Sequence, residues 1–141
     1  MTLYSTIYKK FLNKISDVKL LELSDNDIQE MLHEWLTSSI AKFKKCKNDL
    51  SDRDEELFQF NVDLLDIEIE ILSTLMVKEW LEPQLNSTLL TSQFFGSKEE
   101  KFYAQANQIE KLMALSKKSE LEARKLSRDY GYQSYISENL E

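Results

Sequence analysis

A chain reverses direction most readily at glycine and proline, and this one has two glycines and one proline among 141 residues. Closely spaced strands need turn residues at every reversal. Their scarcity points to an all-α fold of long helices with few connections. At this length the chain fits a single domain, 1–141, able to bury a core. Apolar residues make up 42% and charged residues 30%, the balance of an ordinary globular domain. There is no run of about 18 apolar residues, so no membrane span is expected. The opening MTLYSTIYKKFLNKI lacks a continuous apolar region, so no signal peptide is expected either. The single Cys46 rules out an internal disulfide framework and fits a reducing compartment.

Apolar spacing divides the chain into segments. Leu3, Ile7, Phe11, Leu12 and Ile15 predict a short amphipathic N-terminal helix within 1–20. Ser24 is a good N-cap, followed by Asp25 and Asp27 in the first turn. From there Ile28, Met31, Leu32, Trp35 and Leu36 form an i, i+3, i+4, i+7, i+8 stripe, continued by Ile40 and Phe43. Lysines 42, 44, 45 and 47 crowd the end of that helix, where cations suit the dipole. NDLSDRDEE, residues 48–56, is a polar connector. Phe58, Phe60, Val62 and Leu64 then alternate with other residues at the strand period. With no second strand evident, 58–64 reads as one extended segment packed on the helices, or as an edge that pairs with another subunit.

Residues 66–82 carry apolar positions on nearly every side: Ile69, Leu72, Met76 and Trp80 on one stripe, Ile67, Ile71, Leu75 and Leu81 beside it. A helix this apolar is covered on more than one face, so it is expected at the centre of a compact helical bundle. Pro83 is expected to end it. The following QLNSTLLTSQFFG reads as a loop offering Leu89, Leu90, Phe94 and Phe95 to a partner. Ser97-Lys98-Glu99-Glu100 is a capping box, opening a long helix over about 98–130 with Gly131 as its stop. Phe102, Ala106, Ile109, Leu112 and Met113 mark its packed half; later only Leu121 and Leu126 are strongly apolar. The expected plan is therefore a helical core over 21–115, with 116–141 projecting from it. The tail carries Tyr130, Tyr132 and Tyr135, either as a docking segment or as a frayed end.

The net charge of −7 disfavours nonspecific nucleic-acid binding. Against that background Lys111, Lys117, Lys118, Arg124, Lys125 and Arg128 face only Glu120 and Glu122 between residues 111 and 128. They form either a solvated helix face or a docking strip for an acidic partner. No catalytic, cofactor or metal motif appears. His33-Glu34 begins like H-E-x-x-H, but position 37 is Thr and there is no second histidine. The acids Asp49, Asp52, Asp54, Glu55 and Glu56 lack the glycine and closing glutamate of an EF-hand. Cys46 lies among lysines, which would lower a thiol pKa, but no Cys/His dyad follows from the spacing. The chain is not expected to be an enzyme.

Four stretches together resemble a known family: FNVDL (60–64), EIEILSTLMVKEWLEPQLN (68–86), FYAQANQI (102–109) and EARKLSRDYGY (122–132). They are similar to small helical proteins encoded in the virion-structure modules of tailed phages and prophages of Gram-positive bacteria, read as head–tail connector or adaptor proteins of the neck. The pattern W-L-x-P-Q-I/L-N matches at Trp80, Leu81, Pro83, Gln84, Leu85 and Asn86. F-Y-x-Q-A-N matches at Phe102, Tyr103, Gln105, Ala106 and Asn107. Leu65 departs from the threonine-type cap expected before the central helix. The resemblance covers roughly residues 25–132 and implies a homo-oligomeric ring under the portal protein, touching adjacent neck and tail proteins. DNA would pass nearby without specific binding, and no membrane or cofactor would be involved. The protein would be made in the bacterial host cytoplasm and end in the virion neck. Docking residues implied by this picture are Leu89, Leu90, Phe94, Phe95, Lys117, Lys118, Arg124, Lys125, Arg128, Tyr130, Tyr132 and Tyr135. A soluble intracellular regulatory protein of phage origin is the competing class.

Overall fold

Tyr4, Ile7, Tyr8 and Phe11 recur at helical spacing and are buried on one side of the first helix, α1 (Tyr4–Lys14). Leu3 and Leu12, which the sequence pattern placed on that stripe, are exposed instead. The computed structural model describes residues 1–15, 24–95 and 99–140, with side chains described outside 88–106, 108 and 133–140. Among these residues the fold is mostly helical with one small sheet. α2 (Asp25–Lys42) begins as the sequence predicts, with Ser24 Oγ accepting the backbone N–H of Asp27. α3 (Asp66–Phe95) and α4 (Glu99–Leu140) follow. The boundaries expected at 16–23 and 96–98 lie outside the described residues.

The extended segment is not alone. Three two-residue strands, β1 (Thr2–Leu3), β2 (Arg53–Asp54) and β3 (Gln59–Phe60), form an antiparallel sheet with β3 in the middle. Phe60 lies opposite both Thr2 and Arg53, and Gln59 opposite both Leu3 and Asp54. The sheet ties the N-terminus to a hairpin some 55 residues away, and strands this short leave no periodic signal. Thr2 reinforces the tie: its hydroxyl donates to the Val62 carbonyl at 3.3 Å and accepts the Leu64 N–H at 3.0 Å.

α3 packs against α1, α2 and α4. Between residues 68 and 81 its buried positions include Ile69, Ile71, Leu72, Met76, Val77 and Leu81, which cannot all lie on one face. Ion pairs frame two of these contacts. Glu70 on α3 takes Lys10 and Lys14 of α1 at 2.6 and 3.0 Å, and Glu79 takes Lys42 of α2.

Two expected helix ends are overturned. Pro83 lies inside α3, which continues to Phe95, so residues 84–95 are helix and not loop. Proline removes one backbone hydrogen bond, to the Glu79 carbonyl, and crowds the preceding turn. That penalty is offset where the preceding turn is anchored by buried Met76, Val77, Trp80 and Leu81 while Pro83 itself is exposed to water. Gln84 Nε2 also donates to the Trp80 carbonyl at 3.1 Å. Gly131 likewise does not stop α4; it has no positive φ, and the helix runs on to Leu140.

The expectation that 116–141 projects is corrected as well, as far as Tyr130. Ser119, Ala123 and Tyr130 are buried, and Leu112, Leu115 and Leu126 pack against the core. The spacing 112, 115, 119, 123, 126, 130 is a continuous helical stripe. It escapes an apolar count because small and polar residues carry half of it, while the conspicuous Leu121 points to solvent, 55% exposed.

Candidate functional site

One side chain joins three parts of the fold. Glu68 sits in the first turn of α3, fully buried. Its Oε1 accepts the Leu65 N–H at 2.7 Å, the back-bond of a capping box whose other half is missing because Leu65 has no side-chain oxygen. Asn48 Nδ2 donates to the same oxygen at 2.6 Å. Oε2 accepts the Tyr130 hydroxyl at 2.8 Å and the Cys46 thiol at 3.0 Å. Tyr130 Oη accepts in turn the Lys47 N–H at 2.8 Å. Burial alone would raise the Glu68 pKa, but these neutral donors together hold it below the ordinary carboxylate value. The cluster locks the 46–48 connector, the start of α3 and the far part of α4 to one another.

This assigns Tyr130 and Cys46 to structure. Tyr130, expected in a docking tail, is 3% exposed, with its ring 5.7 Å edge-on from Phe43. Cys46, expected to be acidified by lysines, is pushed up to about 12 by burial and then by the Glu68 carboxylate. The lysines are close in sequence, but the thiol faces a carboxylate.

Two surfaces of opposite character flank this framework. The first is an open groove of about 530 Å³ where α4 meets α3 and the end of the α2 segment. Lys45, Lys78, Arg124 and Arg128 line it above an apolar floor of Leu75 and Ala123. Glu120 is also there, but it is engaged by Arg124 at 2.8 Å, four residues away on the same helix. Lys45, Lys78 and Arg128 have no carboxylate within ion-pair distance among the described residues.

The second surface is the tip of the β2–β3 hairpin. Asp54 Oδ1 accepts the N–H groups of Glu56 and Leu57 at 2.9 and 3.0 Å and so builds the turn. Phe58 closes it at φ 52°, a left-handed conformation costly for a bulky side chain. The strained position is held from outside: the Tyr4 N–H donates to the Phe58 carbonyl at 2.9 Å. The Phe58 ring lies 6.3 Å from both Tyr4 and His33. Glu55, held below the usual carboxylate range by Arg53 and then His33, anchors the turn to α2 through His33 Nε2 at 2.6 Å. The outcome is that Leu57 and Phe58 stand 63% and 54% exposed beside Asp54 and Glu56. A shallow pocket of about 260 Å³ next to Phe58 adds Glu30 and Glu34 of α2.

Of the candidate docking residues, Lys117, Lys118, Arg124, Lys125, Arg128 and Tyr132 are exposed on α4. Only Arg124 and Arg128 line the groove. Leu89, Leu90, Phe94 and Phe95 fall within helix α3 and Tyr135 within α4, and their side chains lie outside the described residues. Sequence reading did not bring Lys45 and Lys78 to these arginines. They meet only because α3 and α4 pack side by side, and no local spacing encodes that. Among the described residues no group of His, Cys, Asp or Glu is arranged to hold a metal ion, and no helix is long and apolar enough to cross a membrane.

Comparison with known proteins adds no relative: no family model, curated protein or solved structure matches the chain.

Proposed function

We propose that the chain is a virion structural protein, a head–tail connector that assembles as a ring under the portal and joins capsid to tail. The observation that carries this reading is the resemblance at residues 60–64, 68–86, 102–109 and 122–132, above all W-L-x-P-Q-I/L-N at 80–86. In this reading α3 is the central helix of a compact bundle. Trp80 and Leu81, being buried, serve the fold. The exposed cations of α4 and Tyr132 then face the portal or a neighbouring neck protein, and DNA passes without being held.

The alternative is a soluble helical regulatory protein of phage origin that binds a host factor; the cations lining the groove suit an acidic partner of that kind equally well. Deleting the gene from its phage or prophage and imaging the induced lysate separates the two. Separate heads and free tails are expected for a connector. Complete, infectious particles would remove the connector reading and favour the regulatory one.

A further inference from the structure

The two surfaces described above match each other. One is a groove with an apolar floor and three cations that have no carboxylate within ion-pair distance among the described residues; the other is an exposed apolar pair, Leu57 and Phe58, set among carboxylates. Asp54, Glu56, Glu30 and Glu34 have no cation within ion-pair distance among the described residues. The tip cannot fold back into the groove of its own chain. His33 and Tyr4 pin it beside the first half of α2, whereas Lys45 lies beyond that helix's end, roughly 15 Å further along its axis.

We infer that the acidic hairpin tip of one copy docks into the basic groove of a second copy, giving head-to-tail self-association. The inference deepens the ring assembly proposed above and rests on that reading for its setting. Charge selects the occupant. A molecule of net charge −7 repels its own kind on average, so copies would meet only where a local basic surface faces a local acidic one. Leu57 and Phe58 supply the apolar contact that charge alone does not, over Leu75 and Ala123. Because the two surfaces differ, the contact is heterologous: it leaves one free groove and one free tip after every addition, and it propagates until a ring closes. The strained backbone at Phe58 has a place in this scheme, since it belongs to the fixed conformation of the tip in which the ring stands 54% exposed.

The test uses the full chain in sedimentation velocity. Wild-type protein is expected to self-associate with rising concentration, about tenfold more weakly at 500 mM than at 50 mM salt. A groove variant, Lys78→Gln with Arg128→Gln, and a tip variant, Glu56→Gln with Leu57→Ser, should each be monomeric while keeping the wild-type circular dichroism and Tm. Mixed one to one, they should form a dimer and nothing larger, because the pair retains one intact tip and one intact groove in register. A wild-type chain that stays monomeric into the millimolar range, association that survives both variants, or a mixture that forms no dimer would each overturn the inference. These outcomes are separable from the function test. Self-association together with intact particles in the deletion lysate keeps the docking and loses the connector; separated heads and tails with a monomeric chain do the reverse.

Discussion

Glu68 shows how much one residue can organise when its position is set by three elements at once. A buried carboxylate is unfavourable unless its oxygens are satisfied, and here four neutral donors do this. Glu68→Gln keeps the shape but turns an N–H₂ toward groups that are already donating. It should lower stability by about 2 kcal/mol, measured by urea unfolding. The pH dependence has a fixed sign. The folded-state pKa of Glu68 is depressed, so its contribution is fully present above the unfolded value of about 4.3 and is lost as pH falls through the folded one. Wild-type stability should therefore fall on acidification below about pH 4, and the Gln variant should show a shallower fall there. An identical acid limb in both proteins would show that the carboxylate is not charged in the fold.

At the scale of elements, the helices themselves were legible, but two of their C-terminal ends were not. Ser24 as a cap read correctly because its signal is local, a side-chain oxygen three residues from its N–H, and the crowded apolar positions of 66–82 recur as buried Ile69, Ile71, Leu72, Met76, Val77, Trp80 and Leu81. Pro83 and Gly131 misled because their local preference is overridden by packing of the residues that precede them. Proline is held by the buried turn before it, and glycine by Tyr130 next to it. The stripe Ser119, Ala123, Tyr130 was illegible for a different reason: its buried members are small or carry a hydroxyl, which an apolar count does not register. Gly131 gives a direct check. A Cβ there would meet nothing within 4 Å, and the backbone is helical. Gly131→Ala should stabilise the protein by about 0.5–1 kcal/mol, seen as a raised Tm. A C-terminal cap at this position would give the opposite sign, because alanine resists the left-handed conformation. As for the candidate site, the basic character of α4 could be read from the sequence, but the groove could not, since Lys45 and Lys78 arrive from other segments.

For the molecule as a whole, Cys46 offers a built-in reporter. Its thiol is kept protonated by burial and by Glu68, and it lies where α4 closes over the connector. At neutral pH the native protein should resist alkylation, with modification proceeding only when α4 lifts away. In Glu68→Gln the loss of about 2 kcal/mol should speed modification roughly thirtyfold, followed by mass spectrometry. A fast, unchanged rate in both proteins would mean that the thiol is reachable without any opening.

The bond from the Lys47 N–H to Tyr130 also joins positions 83 residues apart, and the carboxylate it serves is made early in the chain. On a ribosome, Glu68 and the apolar turns after it emerge well before Tyr130. For that interval the nascent chain carries α3 without the partner helix that covers one side of it, and the carboxylate is in water. Native closure is thus a late, nonlocal step, of the kind whose loop entropy slows folding. The order of synthesis itself keeps an acidic, still hydrated residue at the start of the most apolar helix until the segment that shields it has been made.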